Sequence, residues 1–206
     1  MKATTYKPQS GSEKSEVRKQ HLLDAATECF RQHGIQGSSI AMICQTAGMS
    51  PGHVYYYFRS KEAIVEAIAV RDENDTAELM DQLEQGSTDD LVTRLTRLIP
   101  AVVQRNSDPA YAGLVIALTA EAVRNPMVAE ILRRSDEALH TRFLKIADRV
   151  GGPANMDPAT LRLRIGMIAT IFTGLVFRSI LEPRRDQAAI VQLVNEQVRL
   201  LLGGQP

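Results

Sequence analysis

The sequence predicts an all-α protein with a small N-terminal three-helix helix-turn-helix domain and a larger helical domain. Three observations carry that prediction. Apolar residues recur at spacings of three and four along most of the chain, and no alternating strand-like segment is found. Cap residues, Ser39, Ser50 and Ser60, open the N-terminal segments one after another. Gly- and Pro-containing stretches, "GSTDD", "NSDP", "RNP", "GGPANMDP" and "EPRRD", separate those segments.

Taken in order, residues 1–14 are rich in Ser, Thr, Lys and Gly and read as a flexible arm. Leu22, Leu23, Ala26 and Phe30 then lie on one helical face, and Gly34 ends the pattern. Ser39 caps a short second helix carrying Ile40 and Ile43, closed by Gly48. Ser50 caps a third, with Pro51 at the first helical position, where a missing N–H is harmless. Ser60 caps a fourth, which runs long through "EAIVEAIAVRDENDTAELMDQLEQG". Short helices joined by a tight Gly-containing turn are helix-turn-helix grammar, which places that domain at 15–62 and the second domain at 63–206. Further helices are expected at roughly 88–106, 109–124, 126–150, 158–182 and 186–202, with Pro100 kinking the first of them.

Composition narrows the function. The formal net charge is zero over 206 residues, but residues 1–62 carry +3 and the remainder −3, a mild bias toward an anionic partner at the N-terminal end. No apolar leader is visible, and the most apolar run, 165–177, is 13 residues long, too short to span a bilayer. A cytoplasmic protein with no membrane partner is expected. Cys29 and Cys44 read as buried reduced thiols. The histidines His21, His33, His53 and His140 are scattered without ligand spacing, and no phosphate loop or nucleophile motif occurs. No enzyme, metal or cofactor is therefore expected. The acid-rich stretch 72–90 holds eight carboxylates and no Lys or Arg, and reads as a solvated helix face.

The most informative segment is "SPGHVYYYF", residues 50–58. Neighbouring helical residues point about 100° apart, so three successive tyrosines cannot share one core. Val54 and Phe58 form the inward stripe, while Gly52, His53, Tyr56 and Tyr57 fall mainly on another face and Tyr55 between the two. A short helix presenting glycine, imidazole and phenol outward suits entry into a DNA groove. Phenol hydroxyls bond phosphates, and imidazole can reach base edges. A plain aromatic covering over a small core is the other reading of this stretch.

The stretch "LLDAATECFRQHGIQGSSIAMICQTAGMSPGHVYYYFRSKEAIVEAI" (22–68) resembles the DNA-binding domain of the TetR family of bacterial transcriptional regulators. The resemblance lies in Ala25-Ala26, Phe30, Gly34, Ser39-Ile40, Ala47-Gly48, Ser50, Gly52, Tyr55, Tyr57-Phe58 and Lys61-Glu62. It implies a two-fold dimer that places its third helix in the major groove of a palindromic operator. By the same resemblance Ser39, Tyr55, Tyr57 and Lys61 contact the phosphate backbone, and Pro51, Gly52, His53 and Tyr56 contact bases or the groove. His53 departs from the family, which most often has Thr there, so its base preference cannot be carried over. Downstream, "EAVRNPMVAEILRR" (121–134) is similar to regulators with the choline/betaine-type C-terminal domain.

The helix expected at 158–182 is apolar over more than one face and the last one carries a broad apolar stripe, which suits an intermolecular four-helix bundle. A pair buried wholly within one chain is the other reading. The expected dimer residues are Ile168, Phe172, Leu175, Ile190, Val194, Val198 and Leu201. The family resemblance implies a small-molecule effector among the middle helices. Candidate lining residues are Met80, Tyr111, Ile116, His140, Phe143, Met167, Phe172 and Phe177. Mostly apolar lining points to a lipophilic or aromatic effector, while Arg124, Arg162 or Arg178 could pair with an acidic one. A ligand-responsive repressor and a DNA-organising or protein-interaction protein both remain open on the sequence.

Overall fold

The computed structural model describes residues 11–85, 89–153 and 156–203. Among the described residues there are helices and no strand. The chain divides into two compact units, Met1–Ile68 and Ala69–Pro206.

In the first unit, α1 (Gly11–Gly37), α2 (Ile40–Ala47) and α3 (Pro51–Tyr57) are followed by the start of α4 (Lys61–Asp81). Of the arm expected at 1–14, residues 1–10 lie outside the described residues, and the rest already belong to α1. Gly34 breaks the helical path at φ 68°, ψ 168°, a conformation open to glycine, and one further turn follows it. Ser38, fully buried, ties that turn down by donating its hydroxyl to the Gly34 carbonyl at 2.7 Å. Leu22, Leu23, Ala26 and Phe30 of α1, Ile43 and Ala47 of α2, and Val54 and Phe58 are buried, with α1 packed on α2 and α2 on α3. Cys29 and Cys44 are buried free thiols, as expected.

In the second unit, a 3₁₀ turn (Gln82–Glu84) precedes α5 (Leu91–Asn106), α6 (Pro109–Ala122), α7 (Pro126–Val150), α8 (Pro158–Leu181) and α9 (Gln187–Leu202). Asp90, Asp108, Asn125, Asp157 and Asp186 each accept a backbone N–H with the side chain at the helix start. The Asp90 cap fixes the start of α5 at Leu91, three residues later than the turn signals suggest. That helix runs on through Pro100. Helix α5 packs on α8 and α9, α6 on α7 and α8, and α8 on α7 and α9. The core holds Leu91, Ile99, Val103, Phe143, Ile146, Leu161, Ile168, Val194, Val198 and Leu202.

Two expectations change here. The acid-rich stretch is a comb of ion pairs: Asp72 meets Arg105, Asp81 meets Arg142, Glu84 meets Arg149, and Asp89 meets Arg97 at 2.6 Å. The arginines come from α5 and α7, too far along the chain for a local charge count to find. The second concerns α8. At 24 residues it is long and apolar enough, by length and composition, to cross a membrane, which a count of its central 13-residue run understates. A core helix of a helical domain meets the same test.

Candidate nucleic-acid interface and ligand cavity

The turn between α2 and α3 is closed by backbone chemistry. Gly48 takes the left-handed conformation (φ 60°, ψ 30°), and the N–H groups of Gly48 and Met49 donate to Gln45 and Cys44 carbonyls at 3.2 and 3.0 Å. The Ser50 hydroxyl then accepts the His53 N–H at 3.4 Å and starts α3. With Val54 and Phe58 turned inward, Pro51, Gly52 and His53 are exposed, and Tyr55 and Tyr56 are 54% and 76% exposed. Tyr55 therefore presents its ring outward rather than packing it. Tyr57 is half-buried, accepts the Ser15 hydroxyl at 3.5 Å, and meets Tyr56 edge-on with centroids 5.0 Å apart. A Cβ built on Gly52 meets nothing within 4 Å, so packing inside the chain does not require glycine there.

Two nominated residues carry structural duties. The Ser39 hydroxyl accepts the Met42 N–H at 3.2 Å as the cap of α2. The Lys61 ammonium donates to the carbonyls of Ile35 at 2.6 Å and Ser38 at 3.2 Å, bridging the end of α1 to the start of α4. The chain pattern gives no sign of this brace, because it joins residues 26 and 23 positions apart.

Within the second unit, α4, α5, α6, α7, α8 and α9 enclose a cavity of about 270 Å³. Of the candidate lining residues, Met80, Tyr111, His140, Phe143 and Phe172 line it. Ile116, Met167 and Phe177 do not. Met167 and Phe177 sit 52% and 48% exposed on the other face of α8. The rest of the wall is mostly aliphatic, including Leu79, Leu98, Val102 and Ile165.

Sequence reasoning missed the polar end. Arg105 pairs with Asp72 and donates to the Thr76 hydroxyl at 2.8 Å, with its guanidinium 4.6 Å from the centre of the Tyr111 ring. Burial pushes the Asp72 carboxyl above its ordinary range, against the pull of Arg105. Burial, and then the Asp72 charge, push the Tyr111 phenol up to about 12. At another point of the wall, His140 Nδ1 lies 3.0 Å from the Asp136 carbonyl oxygen and 3.5 Å from its carboxylate. The arginines nominated for an acidic ligand are engaged elsewhere: Arg124 with Glu121 at 3.7 Å, Arg162 with Glu137 at 3.1 Å, and Arg178 with Glu182.

The expected dimer residues also resolve differently. Ile168, Val194 and Val198 are buried in the core of the second unit, and Phe172, Leu175, Ile190 and Leu201 pack against that core. The apolar residues left exposed are Leu163, Met167, Phe177, Ile180 and Leu181 on α8, with Leu193 and Leu200 on α9. Both helices are apolar on two faces, and periodicity alone does not say which face turns inward.

A helix-turn-helix unit whose third helix exposes glycine, imidazole and phenols, on a chain with a cavity-bearing helical unit, defines a helix-turn-helix transcriptional regulator. Residues 22–68 match the family model for "Bacterial regulatory proteins, tetR family", and residues 91–203, over half the chain, match that for "BetI-type transcriptional repressor, C-terminal". The chain belongs to the tetR family of bacterial regulatory proteins. It is a regulator of transcription and not an enzyme. Among relatives, HTH-type transcriptional regulator UidR of Escherichia coli K12 is 23% identical over 184 residues, 89% of this chain and 90% of that protein. HTH-type transcriptional regulator BetI of Burkholderia thailandensis is 26% identical over 188 residues, 91% and 94% of the two chains. Among solved structures, Salmonella enterica GusR aligns with a TM-score of 0.71 at 26% identity, covering 91% of this chain and 96% of that one. FadR from Bacillus subtilis, solved in complex with stearoyl-CoA, aligns with a TM-score of 0.71 at 18% identity over 91% and 100%, a likeness of fold.

Proposed function

We propose that this regulator is a cytoplasmic homodimeric repressor that binds a palindromic operator through α3 and leaves it when a small molecule occupies the cavity. The observation that carries the reading is the exposed face of α3, where Gly52, His53, Tyr55 and Tyr56 face outward and the fold does not require Gly52 to be glycine. Such a surface suits close approach of a groove backbone, with His53 and Tyr56 at base edges and Tyr55 and Tyr57 at phosphates. Ser39 and Lys61 act there chiefly by holding α2 and α4 in place. Helix α4 begins in the first unit and ends in the cavity wall, which gives ligand occupancy a covalent route to the DNA-reading end. The effector binds better to a conformation that does not fit the operator, and the population shifts toward it. The exposed apolar stripe on α8 and α9 is the dimer surface.

In vitro selection from a random DNA pool tests the reading. An enriched palindrome with half-sites about one helical turn or slightly more apart supports it. Recovery of no motif, with binding that vanishes as salt rises, leaves only phosphate contact and favours a DNA-organising protein.

A further inference from the structure

The reading above leaves the effector's chemistry open, and the polar end of the cavity narrows it. Arg105 is the only cation among the lining residues, and its side chain is 22% exposed. It is held from three sides: Thr76 accepts from Nη1, the Tyr111 ring lies against the guanidinium, and Asp72 neutralises it. The first two hold it in place without satisfying its charge. Only the carboxylate does that, and a buried guanidinium needs an anion.

Asp72 is the weaker partner of the pair. Its side chain is 36% exposed, and it sits on the acidic helix α4, where Asp75 adds a like charge. Burial disfavours its ionised form, its exposed side lets it turn toward solvent, and the Tyr111 phenol is its other side-chain hydrogen-bond partner. Arg105 also lines a surface groove with Gln104, Asp108 and Gln187, so the guanidinium can be reached from outside the cavity. Beyond it the wall is aliphatic and aromatic. At roughly 20 Å³ per packed atom, the cavity volume holds about a dozen non-hydrogen atoms.

We propose that Arg105 is the recognition group for a mostly apolar carboxylic acid of that size, whose carboxylate displaces Asp72 and whose body fills the space lined by Leu98, Phe143 and Phe172. The exchange keeps the guanidinium paired and removes the Asp72 carboxylate from the link between α4 and α5, leaving the Thr76 hydroxyl contact. A cationic ligand would have to part Asp72 from Arg105 and then lie beside that guanidinium. The proposal rests on the cavity being the effector site.

The test is calorimetric titration of the full-length protein with three matched probe sets: 4-phenylbutyrate and the straight-chain acids from hexanoate to decanoate, their primary amides, and their amines. At least one acid binds, and its amide and amine bind tenfold or more weakly. Arg105→Met weakens the acid tenfold or more, whereas Asp72→Asn tightens it threefold or more by removing the competitor. Should Arg105→Met fail to fold by circular dichroism, the wild-type probe comparison and Arg105→Lys, which loses the two-pronged contact, decide the matter. The proposal falls if no acid binds, if an amide or amine matches its acid, if Arg105→Met changes nothing, or if Asp72→Asn weakens the acid as Arg105→Met does. Operator release is followed in parallel. An acid that binds without releasing DNA sinks the effector reading and spares the ligand class. Release by an amine or amide, undiminished in Arg105→Met, does the reverse.

Discussion

The Lys61 ammonium lies 2.6 Å from the carbonyl oxygen of Ile35, a residue 26 positions earlier in the chain, and also donates to the Ser38 carbonyl at 3.2 Å. This one side chain ties the end of α1 to the start of α4 around the recognition motif. Hydrogen bonds from charged donors contribute about 1.5–3 kcal/mol. Lys61→Met is expected to lower the stability of the first unit by about 2 kcal/mol. Amide exchange across α2 and α3 then speeds up roughly 30-fold, provided these amides exchange through opening of the unit. Unchanged exchange would mean the contact is dispensable and Lys61 is free to serve DNA.

Gly52 separates folding from function. Nothing within 4 Å awaits a Cβ at this position, and glycine is less favourable than alanine in a helix by up to about 1 kcal/mol. Gly52→Ala is expected to leave the melting temperature unchanged or slightly higher. Operator affinity, measured by fluorescence anisotropy, falls tenfold or more because the methyl group holds α3 off the groove. Full affinity in this variant would remove the argument for close approach at α3.

His53 and Tyr57 divide the work of the same helix. His53 is exposed with only its backbone N–H engaged by Ser50, whereas the Tyr57 ring is braced by Tyr56 and Ser15. Tyr57→Phe is expected to weaken binding to all DNA sequences about equally, by losing one phosphate contact. His53→Ala is expected to change the selected motif. Repeating the random-pool selection with each variant checks both, and identical motifs at lower affinity would take base readout away from His53.

Much of this was legible in the chain, for local reasons. Ser39 and Ser50 announce helix starts because capping is settled within three or four residues, and Pro- and Gly-containing breaks mark the later helices. The Val54–Phe58 stripe follows from helical geometry in the same way. What escaped is non-local. The Asp72–Arg105 pair spans 33 positions, and Lys61 reaches back over 26, with no pattern to mark either. Helix α8 shows the third kind of gap: Ile168 and Met167 are adjacent and both apolar, yet one is buried in the core and the other half exposed. Only the packing of α5, α6, α7 and α9 against α8 decides between them.

Asp157 links stability to pH. Its carboxylate caps α8 by accepting the N–H groups of Ala159 and Thr160, both at 3.0 Å, and the Thr160 hydroxyl at 2.6 Å. The Thr160 hydroxyl first, and then its N–H, hold the carboxyl below the ordinary carboxylate range. A carboxyl lowered on folding stabilises the protein above its unfolded value and loses that contribution as pH falls through the folded one. Asp157→Ala is expected to lower the melting temperature at pH 7 by about 2–4 °C. The gap between variant and wild type narrows as pH falls through the lowered carboxyl range, while Asp157→Asn shows a smaller gap that does not vary with pH. A gap for Asp157→Ala that stays unchanged down to acid unfolding would show that the charge is irrelevant.

The apolar stripe on α8 and α9 is the surface proposed for the dimer, and its centre can be tested directly. Leu163, Met167 and Phe177 are exposed on a face of α8 that no described residue covers, and Leu193 and Leu200 are exposed on α9. Two copies burying such stripes form a two-fold four-helix interface, and a carboxylate placed in its centre is desolvated without a partner. Met167→Glu is expected to leave the helical content intact, since the side chain is exposed within the protomer. The mass by light scattering drops from that of a dimer to that of the 22.7 kDa protomer. With the second recognition helix no longer delivered at high local concentration, affinity for a palindrome falls on the order of 100-fold or more, while affinity for an isolated half-site stays the same. A variant that remains dimeric and binds the palindrome normally would move the interface away from this face.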